Sequence, residues 1–197
     1  MIAKRLFDLF FTIPGLIALC PVFVVISVLI KMDSKGPVFF RQTRVGRDGR
    51  LFEIFKFRTM IVDAESKGLQ LTSGDDSRVT AVGRKLRKYK LDELPQLLNV
   101  LKGEMSLVGP RPEVPKYVAY YPEAVRKVVL SVPPGITDKA SIEYIEESRL
   151  MSESRDPEKT YVEKILPDKL KYYQEYVENR SLLMDIKIIL GTLKEII

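Results

Sequence analysis

From Leu6 to Ile30 the chain is almost unbroken apolar sequence, interrupted by Asp8, Thr12, Pro14, Gly15, Pro21 and Ser27. At about 1.5 Å of rise per residue, a helix of this length matches a hydrocarbon core roughly 30 Å thick. Whatever else the chain builds must sit beside a membrane-seeking segment. Lys4 and Arg5 precede the segment in the manner of a signal peptide. No convincing small-x-small cleavage site follows before Lys31, however, and the apolar pattern runs straight into charged sequence, which favours retention. Cations flank both ends (Lys4, Arg5; Lys31, Lys35), so charge bias gives neither end a reason to cross. Pro21, near the middle, removes a backbone donor and clashes with the preceding turn. A bent helix that enters the bilayer and returns to the same face meets both conditions. A spanning helix with ordinary kinks at Pro14 and Pro21 is the alternative. Arg5 and Asp8 share a helical face and are spaced to pair, which would ease Asp8 into the interface.

The 197 residues suit one domain with a proper core. A net charge of +6 suits an anionic partner, whether nucleotide, nucleic acid or acidic lipid. Cys20 is the only cysteine, so no intramolecular disulfide forms, and the absence of histidine excludes imidazole catalysis and histidine metal sites. Chemistry falls to carboxylates, lysine, arginine or tyrosine.

One stretch concentrates those groups. Asp92 and Glu93 lie between a basic run (Arg84, Lys85, Arg87, Lys88, Lys90) and Gly109-Pro110-Arg111-Pro112, so acid is bracketed by cation. Leu91, Leu94, Leu98 and Leu101 recur on one helical face, and Pro95 is tolerated there only near a helix start. The spacing therefore predicts Asp92 near an N-cap and Glu93 in the first turn, where unpaired N–H groups and the helix dipole favour anions. Simple capping explains the same two residues, because Asp is a preferred cap and Glu is common in a first turn.

Elsewhere the signals are more ordinary. Val38–Gln42 and Leu51–Phe57 are expected to form a hairpin joined around Gly46-Arg47-Asp48-Gly49. Lys56 and Arg58 alternate with Phe55 and Phe57 on the second strand, a pattern that solvated charges also produce. Lys67–Val82 is rich in Gly, Ser, Thr and Asp and is expected to be a surface loop. Arg84–Lys90 is expected to be a short basic helical turn, either a solvated or lipid-facing surface or, through Arg87, a phosphate ligand. Pro122–Val132 is expected to be a helix that packs on the core, with an interfacial position as the alternative. Asp156-Pro157-Glu158, Pro167 and Ser181 are expected to open the C-terminal helices.

The word from Leu91 to Pro112, with Lys56-Phe57-Arg58-Thr59-Met60 and the N-terminal apolar segment, closely resembles the signature of the bacterial sugar transferases, the monotopic phosphoglycosyl transferases. The resemblance covers most of the chain up to about Thr137. It implies an α/β fold, mostly helical with a small β-hairpin. A re-entrant membrane helix over 1–35 would be followed by a cytoplasmic catalytic domain over 36–197 with interfacial and C-terminal helices. The implied reaction moves a sugar-1-phosphate from a UDP-sugar to a polyprenol (undecaprenyl) phosphate, releasing UMP, at the cytoplasmic face of the inner membrane. Asp92 would be the nucleophile, Glu93 the Mg²⁺ ligand, and Lys56, Arg87 and Arg111 the phosphate-binding groups. Arg58, Glu113 and Asp185 would support them. This is reasonable chemistry: a carboxylate can attack phosphorus to give an acyl phosphate, splitting one transfer between anions into two easier steps. Cations and a metal would offset the repulsion, and Mg²⁺ needs only one or two protein carboxylates beside substrate phosphates.

The sequence also departs from the family pattern. Cys20-Pro21 stands where relatives carry Ser-Pro, Tyr173 where many carry Asp, and Asp138–Ile142 follows the Pro133–Thr137 motif in place of the usual Gly and later Gln-Val. The expected partners are the UDP-sugar, the polyprenol phosphate and the bilayer, with a second copy of the chain as a candidate and no nucleic acid. The competing reading is a membrane-anchored basic scaffold that binds anionic lipid or nucleic acid without catalysis. It gives Asp92 and Glu93 no special role, and no recognised nucleic-acid motif accompanies it.

Overall fold

The computed structural model describes residues 2–64, 76–143, 154 and 156–196. Helix α1 spans Ile2–Asp33 with Pro14 and Pro21 both inside it, so neither proline ends the helix. Among the described residues it is the one helix long and apolar enough to cross a membrane, and only 11% of its most apolar window is buried. Ile2, Phe10, Ile17, Val24 and Val25 all lie open. So much apolar surface has no protein to cover it, which is what a lipid-facing helix requires.

Both ends of α1 are tied to the rest of the chain. Arg5 does not pair with Asp8. Its guanidinium instead donates to the carbonyls of Val100 and Leu101, in the last turn of a helix, where cations are favoured. Asp8 is taken by Lys4 at 3.1 Å and accepts from the Ser106 hydroxyl at 2.8 Å and the Leu107 N–H at 3.2 Å. At the other end, Ile26 and Ile30 pack with Phe57 and Leu86.

The hairpin forms as expected, though its first strand is longer. β1 (Phe39–Val45) pairs antiparallel with β2 (Leu51–Phe57), from Phe39 opposite Phe57 to Val45 opposite Leu51. The turn passes through Asp48 and Gly49 at φ 57° and 76°, a conformation glycine adopts freely and Asp tolerates. Of the expected loop, Lys67–Asp75 lies outside the described residues. Its end is structured, because Met60 bridges Val79 and helix α2 (Ala81–Lys88) already begins, with the Thr80 hydroxyl accepting from the Gly83 N–H.

A 3₁₀ turn over Leu91–Glu93 leads into helix α3 (Gln96–Lys102). The leucine periodicity is therefore split between a tight turn and a helix. A second, parallel sheet joins β3 (Ser106–Val108) to β4 (Gly135–Thr137), bringing Gly109 and Gly135 so close that a Cβ on Gly135 would lie 2.1 Å from the Gly109 nitrogen. Short helices α4 (Pro115–Val118), α5 (Glu123–Val129), α6 (Lys139–Glu143) and α7 (Pro157–Thr160) follow. A π-helical turn, Tyr161–Ile165, then leads into α8 (Leu166–Asn179), and α9 (Leu182–Ile196) completes the order. α5 buries Val129 in the largest core cluster, with Tyr117, Tyr161, Leu170 and Tyr173. Core packing therefore holds it in place. Asp156 caps α7 through the Lys159 N–H, as its sequence predicts.

Asp185 on α9 is 1% exposed. It receives Lys4 at 3.0 Å and the Tyr176 hydroxyl at 2.8 Å, while the same hydroxyl reaches the carbonyl of Val108. One lysine thus bridges two buried carboxylates and locks the start of α1 against α9 and β3. Asp185→Asn removes one of those charges, and the expected cost is about 1–3 kcal/mol. A thermal melt in detergent should fall by roughly 2–4 °C per kcal/mol. Lys187→Ala, on the exposed face of the same helix, should leave the melt unchanged.

Candidate active site

Four segments deliver the charged groups to one place. β2 carries Lys56 opposite Phe40. α2 carries Arg87, whose Nε donates to the Thr59 hydroxyl at 2.8 Å. The 3₁₀ turn carries Asp92 and Glu93, and the segment leaving β3 carries Arg111. Asn99, fully buried, fixes β2 to α3 by accepting from the Phe55 N–H at 3.0 Å and donating to the Glu53 carbonyl at 2.7 Å. Lys90 turns the chain into the acidic pair with φ 51°, ψ 22°, left-handed backbone that a non-glycine residue adopts only at some cost. Asp92 is consequently not an N-cap. Its carboxylate accepts no hydrogen bond from any described residue.

Glu93 takes the cations. Lys56 Nζ donates to its Oε1 at 2.7 Å, and Arg111 grips both oxygens, through Nη2 to Oε1 and through Nη1 to Oε2 at 3.1 Å. Burial pushes the Glu93 carboxyl up, but Arg111 and then Lys56 outweigh it and hold the group well below the carboxylate range. Arg111 is driven up by Glu93 in return. Burial lowers Lys56, with Glu93 opposing, and lowers Arg87, with Asp92 opposing. Asp92 shifts the other way. Burial raises it, Lys56 resists, and the Glu93 charge adds to the rise. Two adjacent carboxylates thus differ sharply: one is neutralised by a clamp, the other is pushed up by burial and accepts no hydrogen bond from a described residue, a contrast typical of functional carboxylate pairs.

Lys56, Arg87, Asp92, Glu93 and Arg111 therefore come together, whereas the other three candidate residues do not join them. Arg58 crosses to the end of α1, where its guanidinium donates to the carbonyls of Lys35 and Ser34. Asp185 belongs to the Lys4 lock on the far side of β3. Glu113 is buried, accepts from the Tyr161 hydroxyl, and lies 3.8 Å from both Arg44 and Lys169. It shapes the segment after Arg111 from behind.

Sequence reading passed over several groups. Arg44 holds the Pro112 carbonyl at 2.9 Å and adds positive charge near Lys56 and Arg111. Its alternation on β1 was the available signal. Asp138 and the buried Tyr173 both act electrostatically on Arg111, and the Tyr173 hydroxyl has no hydrogen-bond partner among the described residues. Asp138 also caps α6 by accepting from the Ser141 N–H and hydroxyl at 2.8 and 2.6 Å. Asp138 and Tyr173 are the very positions at which the sequence departs from the family pattern.

Among the described residues no group of three or more Cys, Asp or Glu side chains is placed to hold a metal by itself. Mg²⁺ needs only one or two protein carboxylates when phosphate oxygens complete its coordination, and Glu93 would be one of them.

Curated relatives align along almost the whole chain. An undecaprenyl-phosphate glucose phosphotransferase of Komagataeibacter xylinus is 42% identical over 98% of this chain and 36% of its own length. A UDP-N-acetylgalactosamine-undecaprenyl-phosphate N-acetylgalactosaminephosphotransferase of Aeromonas hydrophila is 36% identical over 98% of this chain and 43% of its own. The chain thus spans well under half the length of these two, but 94% of the exopolysaccharide production protein PSS of Rhizobium leguminosarum bv. phaseoli, at 36% identity. The family model described as bacterial sugar transferase matches residues 1–197, and the chain belongs to that family.

Proposed function

We propose that the protein transfers a sugar-1-phosphate from a UDP-sugar to undecaprenyl phosphate through a covalent intermediate on Asp92. The observation that carries this reading is the division of labour between the two carboxylates: Glu93 is clamped by Lys56 and Arg111, while the Asp92 carboxyl accepts no hydrogen bond from any described residue and lies beside the same cations. An Asp92 oxygen attacks the phosphorus that bears the sugar, the bond to the other phosphate breaks, and UMP leaves. A phosphate oxygen of the polyprenol then attacks the same phosphorus, forming the lipid diphosphosugar and restoring the Asp92 carboxylate. Arg111, Lys56 and Arg87 hold the phosphoryl oxygens as charge develops. Glu93 would hold Mg²⁺ with the phosphates, and the ion would supply further neutralisation of the departing UMP.

In this reading α1 is a re-entrant helix on the cytoplasmic face of the inner membrane, residues 36–197 form the catalytic domain, and the acidic pair is held at headgroup depth. Both ends of α1 being anchored to the same body, by Arg5 and Lys4 at one and Arg58 at the other, supports the return to one face.

A panel of UDP-sugars, offered to purified protein with undecaprenyl phosphate, is the direct test. UMP release from one or a few of them, abolished by chelator, is expected; no UMP from any donor would defeat the proposal. The pH profile is a second check. Because Asp92 must be ionised to attack and burial raises its pKa above the ordinary 3.8, kcat/KM should fall with decreasing pH along an acid limb centred above 3.8. A limb at or below that value would contradict the assignment.

A further inference from the structure

We propose that the clamp on Glu93 makes divalent-metal binding conditional on a diphosphate, so that the free protein excludes the metal and admits it only together with the nucleotide. This rests on the transferase reading and adds an order of events to it. Both oxygens of Glu93 are occupied, Oε1 by Lys56 and Arg111 and Oε2 by Arg111. Lys56, Arg87 and Arg111 face Asp92 and Glu93, three cations against two carboxylates, so a lone dication meets a net positive field.

Nearby acids cannot compensate. Glu113 is engaged by Tyr161, Arg44 and Lys169, and Asp138 by Ser141. Among the described residues no other acidic cluster offers a metal a home.

A diphosphate changes this arrangement because it brings what both cations bind. Arg111 already presents a two-pronged guanidinium to a carboxylate, a geometry that suits phosphate equally, and Lys56 is a compact point charge on the same oxygen. Each exchanges one anionic oxygen for another when phosphoryl groups enter. Glu93, released, then faces the cation that a nucleoside diphosphate chelates. A monophosphate offers a single phosphoryl group to share among both cations and the metal and cannot close the chelate ring that two phosphoryl groups form. The clamp thus keeps the two phosphate-binding side chains folded inward and the metal out until the donor arrives.

Equilibrium dialysis of the full chain in detergent micelles tests this, with Mn²⁺ as the metal probe counted by electron paramagnetic resonance after acid release, and with radiolabelled UDP or UMP. The wild type should retain little Mn²⁺ alone or with UMP and approach one ion per chain with UDP. Lys56→Met and Arg111→Ala, which each open the clamp, should bind Mn²⁺ without nucleotide about tenfold or more tightly than the wild type, the effect of removing one nearby positive charge. Equal Mn²⁺ retention by the wild type with and without UDP would overturn the inference, and this arm does not depend on either variant folding. So would UMP recruiting Mn²⁺ as well as UDP, or correctly folded variants that bind no more Mn²⁺ than the wild type. If labelled UDP is retained while Mn²⁺ binds unaided, the conditional metal site falls and the transferase reading stands. If UDP is retained in no arm, both fall.

Discussion

Asp92→Asn should abolish turnover, lowering UMP release by on the order of a thousandfold or more, the scale seen when a covalent nucleophile is lost, while leaving the fold intact or slightly firmer. The two halves of that expectation have one cause. Burial raises the Asp92 pKa above its ordinary value, so the ionised form is favoured less in the folded state than in the unfolded one. An acid with a raised folded pKa opposes folding at pH values above its unfolded pKa, and at neutral pH the charge is a cost. Among the described residues no hydrogen bond offsets it. Asparagine removes the charge at nearly constant shape, and with it the carboxylate oxygen proposed to attack phosphorus. Residual activity near the wild-type rate, measured by UMP release on protein whose thermal melt is unchanged, would exclude Asp92 as the nucleophile.

Glu93→Gln should be inactive for a different reason and should also be less stable. The Glu93 carboxylate is the common counterion of Lys56 and Arg111, and its side chain is 17% exposed against 19% and 29% for its partners. Gln keeps an acceptor but no charge, so two cations that share one anion are left facing each other. Removing one partner of a largely buried ion cluster costs about 2 kcal/mol or more, or roughly 4–8 °C in the melt for a chain of this size. Because the folded pKa of Glu93 is depressed, its stabilisation is present above the usual carboxylate pKa and is lost only as pH falls through the lowered folded value. The melting difference between wild type and Glu93→Gln should therefore persist across the neutral range. UMP release should drop by about a hundredfold or more, as when a major charge-stabilising group is lost. A Glu93→Gln protein as stable as the wild type would show that the clamp is not an energetic unit. Set beside Asp92→Asn, the pair gives opposite stability effects from neighbouring carboxylates.

The local elements of this architecture were legible in the sequence where short-range rules decide them. Alternating aromatics and the Gly46–Gly49 turn located the hairpin, and Asp156-Pro157 located a helix start. The set of site residues clustered around Asp92 could also be read, because cations bracket the acidic pair in one continuous word.

What could not be read depends on distant partners. β3 and β4 are three residues each and pair in parallel across the chain, too short to carry a periodicity. Arg58 and Asp185 are charged groups in a plausible context, yet each is claimed by an end of α1, a docking that no local pattern encodes. Arg5 was spaced to reach Asp8, but Asp8 is taken by Lys4, Ser106 and Leu107, and Arg5 reaches the carbonyls at the end of α3. Which member of the acidic pair receives Arg111 depends on the left-handed turn at Lys90, and a lysine there gives no warning of positive φ. Asp138 and Tyr173 illustrate the reverse. They broke the expected pattern in sequence, and both lie in the electrostatic surroundings of Arg111.

The most direct measurement is the intact mass of the protein after brief exposure to its UDP-sugar and Mg²⁺ without lipid acceptor, quenched in acid. A species heavier by one phosphosugar, lost on adding undecaprenyl phosphate and absent from Asp92→Asn, is the expected result. UMP appearing only when acceptor is present, with no heavier species at any time, would contradict a covalent intermediate on Asp92.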